Sequence, residues 1–134
     1  MRHIPVLLKE AVDGLDVKPG GKYIDATFGA GGHFAEIDIR GGTVLAIDVD
    51  PEVHAPVKGN FSDIEAIAKA HGFSHVDGIL FDLGVSSMQL DTPERGFSYR
   101  FAGPLDLRYD PTLGTTASDI VNTYSEGELY EIFS

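Results

Sequence analysis

The chain has 134 residues, 10 Lys and Arg against 21 Asp and Glu, a formal net charge of −11, and neither Cys nor Trp. That length suits one domain with a modest core, disulfides and thiolate metal sites are excluded, and no apolar run approaches the ~20 residues of a membrane span. The N-terminus lacks a signal-peptide core, so a cytoplasmic protein is expected, and the acidic balance is the reverse of most nucleic-acid binders, which neutralise phosphate with Lys and Arg.

Pro5 to Leu15 places Val6, Leu7, Leu8, Ala11, Val12 and Leu15 at helical spacing, and Lys18-Pro19-Gly20-Gly21 stops that helix. Lys22 to Thr27 reads as a strand running into Phe28-Gly29-Ala30-Gly31-Gly32-His33, with a helix from Phe34 to about Ile39. The apolar run Thr43 to Ile47, ended by Asp48-Val49-Asp50-Pro51, suits a parallel strand buried on both faces. A helix is expected over Ile64 to His71 with Ser62 or Asp63 as cap, and a third strand over Val76 to Leu83. Residues 91–114 read as a long ordered loop, and 116–122 and 126–133 as helices, the second with a Ser125–Glu128 capping box. Strands alternating with helices predict an α/β open parallel sheet, in which ligands bind outside the carboxyl ends of the strands.

Three such ends carry chemistry: Asp25 to His33, Asp48 to Asp50, and Asp82 to Ser87. The glycine loop either lets backbone N–H groups approach a ligand or is a plain tight turn. Phe34 stands where the dinucleotide fingerprint needs Gly or Ala, which disfavours a nicotinamide dehydrogenase, and no Gly-Lys-Ser/Thr of a P-loop occurs. Asp48, 17 positions beyond Gly31, is placed to accept both hydroxyls of a ribose, or is a solvated acid beside Pro51. Asp82 is either a loop cap or an acceptor that holds an amino group. From Met88 to Arg108, Arg95, Arg100 and Arg108 alternate with Phe97, Tyr99 and Phe101. That pattern suits stacking on a base and contacting its phosphate, or equally a loop packed by its aromatics with its arginines paired to Asp91, Glu94, Asp106 and Asp110. The five His show no metal-ligand spacing, and no metal site is expected; only His33 falls at the crevice.

Over these segments the sequence resembles the bacterial small-subunit ribosomal RNA cytosine-N4 methyltransferase family (RsmH, or MraW). The matching stretches are His3 to Glu10, Tyr23 to His33, Ala46 to Pro51, Gly59 to Ser62, Val76 to Ser87 and Arg95 to Pro111. The resemblance implies a Rossmann-like class I fold, S-adenosylmethionine as methyl donor, and N4 of a cytidine in the decoding region of small-subunit ribosomal RNA as acceptor. Carried over by position, Gly31, Gly32, His33, Asp48, Phe61, Asp82 and Gln89 contact the donor, with Phe61 beside the adenine and Asp48 on the ribose. Asp82 is expected to orient the amine, and Arg95, Phe97, Tyr99, Arg100, Phe101 and Arg108 to contact RNA. A second expectation, from a different class, is a non-catalytic module that retains donor binding alone. Homodimerisation is not decided by the sequence.

Two departures from the family are visible. Only residues 51–58 separate Asp50 from Gly59, too few for the usual crossover helix; either Val57 and Lys58 are a strand remnant or residues have been lost here. The chain also ends at Ser134 within an expected helix, whereas the family continues with further strands and a helical subdomain. The expected organisation is therefore a cofactor-binding part over 1–110 and the start of a helical subdomain over 111–134.

Overall fold

The computed structural model describes residues 5–134; His3 and Ile4, which open the first matching stretch, lie outside the described residues. The chain forms two compact units, one ending at Gly84 and the other beginning at Val85. The first holds α1 (Leu8–Gly14), β1 (Lys22–Asp25), α2 (Gly32–Ile39), β2 (Thr43–Asp48), β3 (Val57–Lys58), α3 (Ile64–Ala70) and β4 (Gly78–Leu80). The second holds α4 (Ser87–Asp91), α5 (Ala117–Thr123) and α6 (Glu126–Phe133). No helix among the described residues is long and apolar enough to cross a membrane.

The expected parallel sheet is present, four-stranded in the order β3-β2-β1-β4. Period-2 alternation sends its side chains to two cores. Tyr23 and Leu80 pack with Val12 and Ile37 under α1 and α2, while Ile24, Leu45 and Ile47 pack with Ala68 of α3 on the opposite face. The chain runs from β1 outward through β2 to β3 and then returns to place β4 on the other side of β1. The strand order thus reverses between β1 and β4, where open sheets of this kind form their ligand crevice.

Several expectations are corrected. β4 is three residues rather than eight, because its partner β1 ends at Asp25, in register with Leu80, and the ladder stops there. Phe81 and Leu83, placed in the expected third strand, lie beyond its end and are exposed. α1 begins at Leu8, since Leu7 turns through φ 53° before it; Val6 and Leu7 are exposed rather than part of the apolar face. Asp63 is the N-cap residue of α3, as expected, but makes no side-chain cap bond; the Asn60 side chain accepts from the Ser62 N–H at the head of a 3-10 turn over Phe61–Asp63. The expected loop over 91–114 contains a 3-10 turn over Pro93–Arg95, and α4, immediately ahead of it, is an element not expected from the sequence.

No helix lies between β2 and β3, and Val57 and Lys58 do pair with β2. The crossover rule of a dozen or more residues applies to strands paired along their length. Here Ile47 and Asp48 alone pair with Val57 and Lys58, so the connection climbs back only two residues of rise.

Candidate functional site

The three chemistry-bearing strand ends of the first unit are tied to one another by backbone and side-chain bonds. The Ala26 N–H donates to the Leu80 carbonyl at 3.0 Å and the Asp82 N–H to Thr27 Oγ1 at 2.8 Å, joining the ends of β1 and β4. On the other side, the Phe28 N–H donates to the Ile47 carbonyl at 2.9 Å. Asp48 Oδ2 accepts from the Gly29 N–H at 2.8 Å and Oδ1 from the Asp50 N–H at 2.9 Å. Each carboxylate oxygen has a further lone pair, so Asp48 is held rigidly and still has acceptor capacity for a ligand.

The glycine turn lies between these ends. Gly31 takes φ 77° as the residue before α2, and a Cβ there would stand 2.8 Å from the Phe28 ring. Gly31 has no side chain with which to cap α2, and helix geometry directs the first N–H groups outward, that of Phe34 toward the Asp25 carboxylate. His33, in the first turn, is 5% exposed; its Nδ1 is 3.9 Å from Asp82 Oδ2, and its Nε2 has no hydrogen-bond partner among the described residues. The Asp82 carboxylate is half-exposed. Phe61 and Phe81, both partly exposed, meet edge to face with centroids 5.6 Å apart.

Asp25 belongs to the candidate site, though the sequence alone assigns it no role. It is fully buried, its Oδ1 accepts from the Thr27 N–H at 3.2 Å, and its Oδ2 has no partner among the described residues. Burial raises its carboxyl above the ordinary value, outweighing the Thr27 backbone and nearby His33, which act in the opposite direction. The only sequence signal for it is an acid closing a strand immediately before the glycine turn. Thr27 and Phe81, which support Asp82 and Phe61, had no distinguishing signal at all.

In the second unit, Gln89 is buried, and its Oε1 accepts from the Ser86 N–H in the capping box of α4. The three arginines divide two against one. Arg95 is 6% exposed, donates from Nη2 to the carbonyls of Arg108 and Tyr109, and lies over the Phe97 ring. Arg108 forms a two-point pair with Asp106, from Nη2 to Oδ2 at 2.6 Å and from Nε to Oδ1 at 2.8 Å, and also donates to the Leu113 carbonyl. Phe97 packs on Tyr109 with centroids 5.3 Å apart. At these residues the loop is braced internally, whereas Arg100, Tyr99 and Phe101 are exposed. Gly96, at φ 73°, passes so close to the Pro104 carbonyl that no Cβ fits.

The chain matches the MraW methylase family over residues 1–134. Ribosomal RNA small subunit methyltransferase H of Thermomicrobium roseum is 51% identical, across 98% of this chain and 45% of that protein. The proteins of the same name from Cytophaga hutchinsonii and Carboxydothermus hydrogenoformans are 46% and 47% identical, with 49% and 47% of their lengths covered. The chain thus spans about half the length of the curated relatives it matches. The alignments, 145 to 148 positions long, exceed its 134 residues, as an internal shortening requires.

Proposed function

The chain belongs to the MraW methylase family, and we propose that it is the donor-binding portion of an S-adenosylmethionine-dependent methyltransferase acting on N4 of a cytidine in the decoding region of small-subunit ribosomal RNA. The observation that carries this reading is the convergence, at the reversal of strand order, of the glycine turn, the doubly anchored Asp48, the buried His33 and the half-exposed Asp82. The unpartnered Nε2 of His33 and the remaining lone pairs of Asp48 fit a polar ligand carrying hydroxyl and amino groups.

S-adenosylmethionine, when bound, supplies an electrophilic methyl group on a cationic sulfur. Asp48 accepts from the ribose hydroxyls, Phe61 walls the adenine, and Gly31 and Gly32 leave the approach to α2 clear of side chains. The carboxylates at these strand ends suit a cationic donor. His33 offers Nε2 to the donor while its other nitrogen faces Asp82.

Asp82 acts on the acceptor. The amine of cytosine is a poor nucleophile because its lone pair is delocalised into the ring. A hydrogen bond from N4–H to the Asp82 carboxylate localises that pair and fixes its direction, so the contribution is placement rather than proton abstraction. The Thr27 hydroxyl, which accepts from the Asp82 N–H, holds this acid in position. RNA contact is assigned to Arg100 with Tyr99 and Phe101, because Arg95 and Arg108 already bind their own loop.

The test is transfer of a labelled methyl group to small ribosomal subunits lacking the modification. Incorporation at the cytidine amine supports the reading. Donor binding without incorporation replaces it with a non-catalytic donor-binding module.

A further inference from the structure

The second unit contains a cavity of about 300 Å³ lined by Leu90, Asp91, Phe97, Tyr99, Arg100 and Phe101. Its lining combines aromatic rings, one guanidinium and one carboxylate. Among the described residues, the side chains of Arg100 and Asp91 have no hydrogen-bond or ion-pair partner, unlike Arg95 and Arg108 in the same loop. Tyr99 is 98% exposed and Phe101 46%, so their rings are not consumed by packing.

We propose that this cavity is a docking subsite for one unpaired nucleotide whose base carries an exocyclic amine. Arg100 takes the phosphate, the aromatic rings take the face of the base, and Asp91 accepts from its amine. The inference rests on the reading of the chain as an RNA-handling protein and adds to it a residue, Asp91, that selects among bases.

The pairing of charges carries the argument. An isolated phosphate is attracted to Arg100 but repelled by Asp91, and an apolar ligand leaves both groups unsatisfied. A nucleotide satisfies both at once, with an anion at one end and a hydrogen-bond donor on the base edge at the other. Cytosine, adenine and guanine each present an amine to a carboxylate. Uracil presents only N3–H, flanked by two carbonyl oxygens that a carboxylate repels. The subsite therefore discriminates against uridine, and discrimination resides in Asp91 while general affinity resides in Arg100 and the rings.

The test is binding of short, labelled single-stranded oligocytidylate, oligoadenylate and oligouridylate to the full chain, followed by fluorescence anisotropy. The wild type is expected to bind the first two roughly tenfold more tightly than oligouridylate. Asp91→Asn abolishes this preference, because an amide also donates to a uracil carbonyl. Arg100→Ala weakens all three alike and lowers the salt dependence by about one phosphate contact. Both positions are exposed, and unchanged far-UV circular dichroism verifies that the variants fold. Equal binding of the three oligonucleotides, no binding, or an unaltered preference in Asp91→Asn overturns the proposal. Donor titration of the same preparation separates the two readings. Donor binding without base preference removes the subsite and leaves the methyltransferase reading, and base preference without donor binding does the reverse.

Discussion

Replacing Arg95 with methionine preserves a long apolar stem but removes the guanidinium whose Nη2 donates to the Arg108 and Tyr109 carbonyls at 3.1 and 3.0 Å. At 6% exposure there is little water to replace those donors. A hydrogen bond from a charged donor contributes ~1.5–3 kcal/mol, and one nitrogen shared between two carbonyls argues for the lower end, giving roughly 3 kcal/mol for the pair. With a urea slope of about 1 kcal/mol per molar for a small unit, the midpoint falls by about 3 M. Tyrosine fluorescence is a suitable probe: Tyr99, Tyr109, Tyr124 and Tyr130 lie in the second unit, Tyr23 in the first, and there is no Trp. Arg95→Lys keeps the charge and one donating nitrogen, but on a shorter stem, and is expected to lose only part of the same stability. Arg100→Ala, by contrast, changes stability by no more than ~0.5 kcal/mol. Equal and small midpoint shifts for Arg95→Met and Arg100→Ala would refute the division between bracing and exposed arginines.

Asp25→Asn tests the buried carboxyl of the first unit. Because its folded pKa is raised above the ordinary 3.8, wild-type stability increases as pH falls through that raised value toward the unfolded one. The Asn variant is therefore more stable than wild type near neutrality, with an advantage that shrinks on acidification; a pH-independent difference in urea midpoint contradicts this. Gly31→Ala meets both a left-handed φ of 77° and the Phe28 ring at 2.8 Å, and costs about 1–3 kcal/mol in thermal denaturation. Gly29→Ala, at φ 51° with no atom nearer than 4.0 Å, is expected to cost only the backbone part, about 1 kcal/mol. Ser125→Ala removes the acceptor for the Glu128 N–H and frays α6 by about 1 kcal/mol, read as faster amide exchange at Leu129 and Tyr130.

Local signals in the sequence located the elements whose reasons are local. The apolar run of β2, the glycine turn after β1 and the Ser125–Glu128 box at the head of α6 all appear where their residues indicate. A similar capping pattern, Ser86 with Gln89, heads α4, but the apolar spacing that follows it is too short to show a helical period in the sequence. Elements whose limits depend on a neighbour were less legible. The length of β4 is set by where β1 stops, and the apolar character of Phe81 and Leu83 says nothing about that. Likewise, alternating arginines and aromatics look alike in sequence. Only the folded loop shows that Arg95 is turned onto its own carbonyls, that Arg108 is held by Asp106, and that Arg100 is left exposed. Asp25 illustrates the same limit: its burial and the raised carboxyl pKa arise from packing on both sides of β1, which an acid at a strand end does not disclose.

On the proposed reading, the strand ends of the first unit form an S-adenosylmethionine site anchored by Asp48. Titration calorimetry of the full chain with S-adenosylmethionine, with NADH as the competing adenosine-containing ligand, tests it most directly. Asp48→Asn is the informative variant, since its amide oxygen keeps one backbone acceptor of the turn while the charge and the paired ribose acceptors are lost. Single-site binding of the methyl donor, no binding of NADH, and at least a roughly tenfold loss of donor affinity in Asp48→Asn are expected. Binding of NADH without the donor, or unchanged donor affinity in the variant, contradicts it.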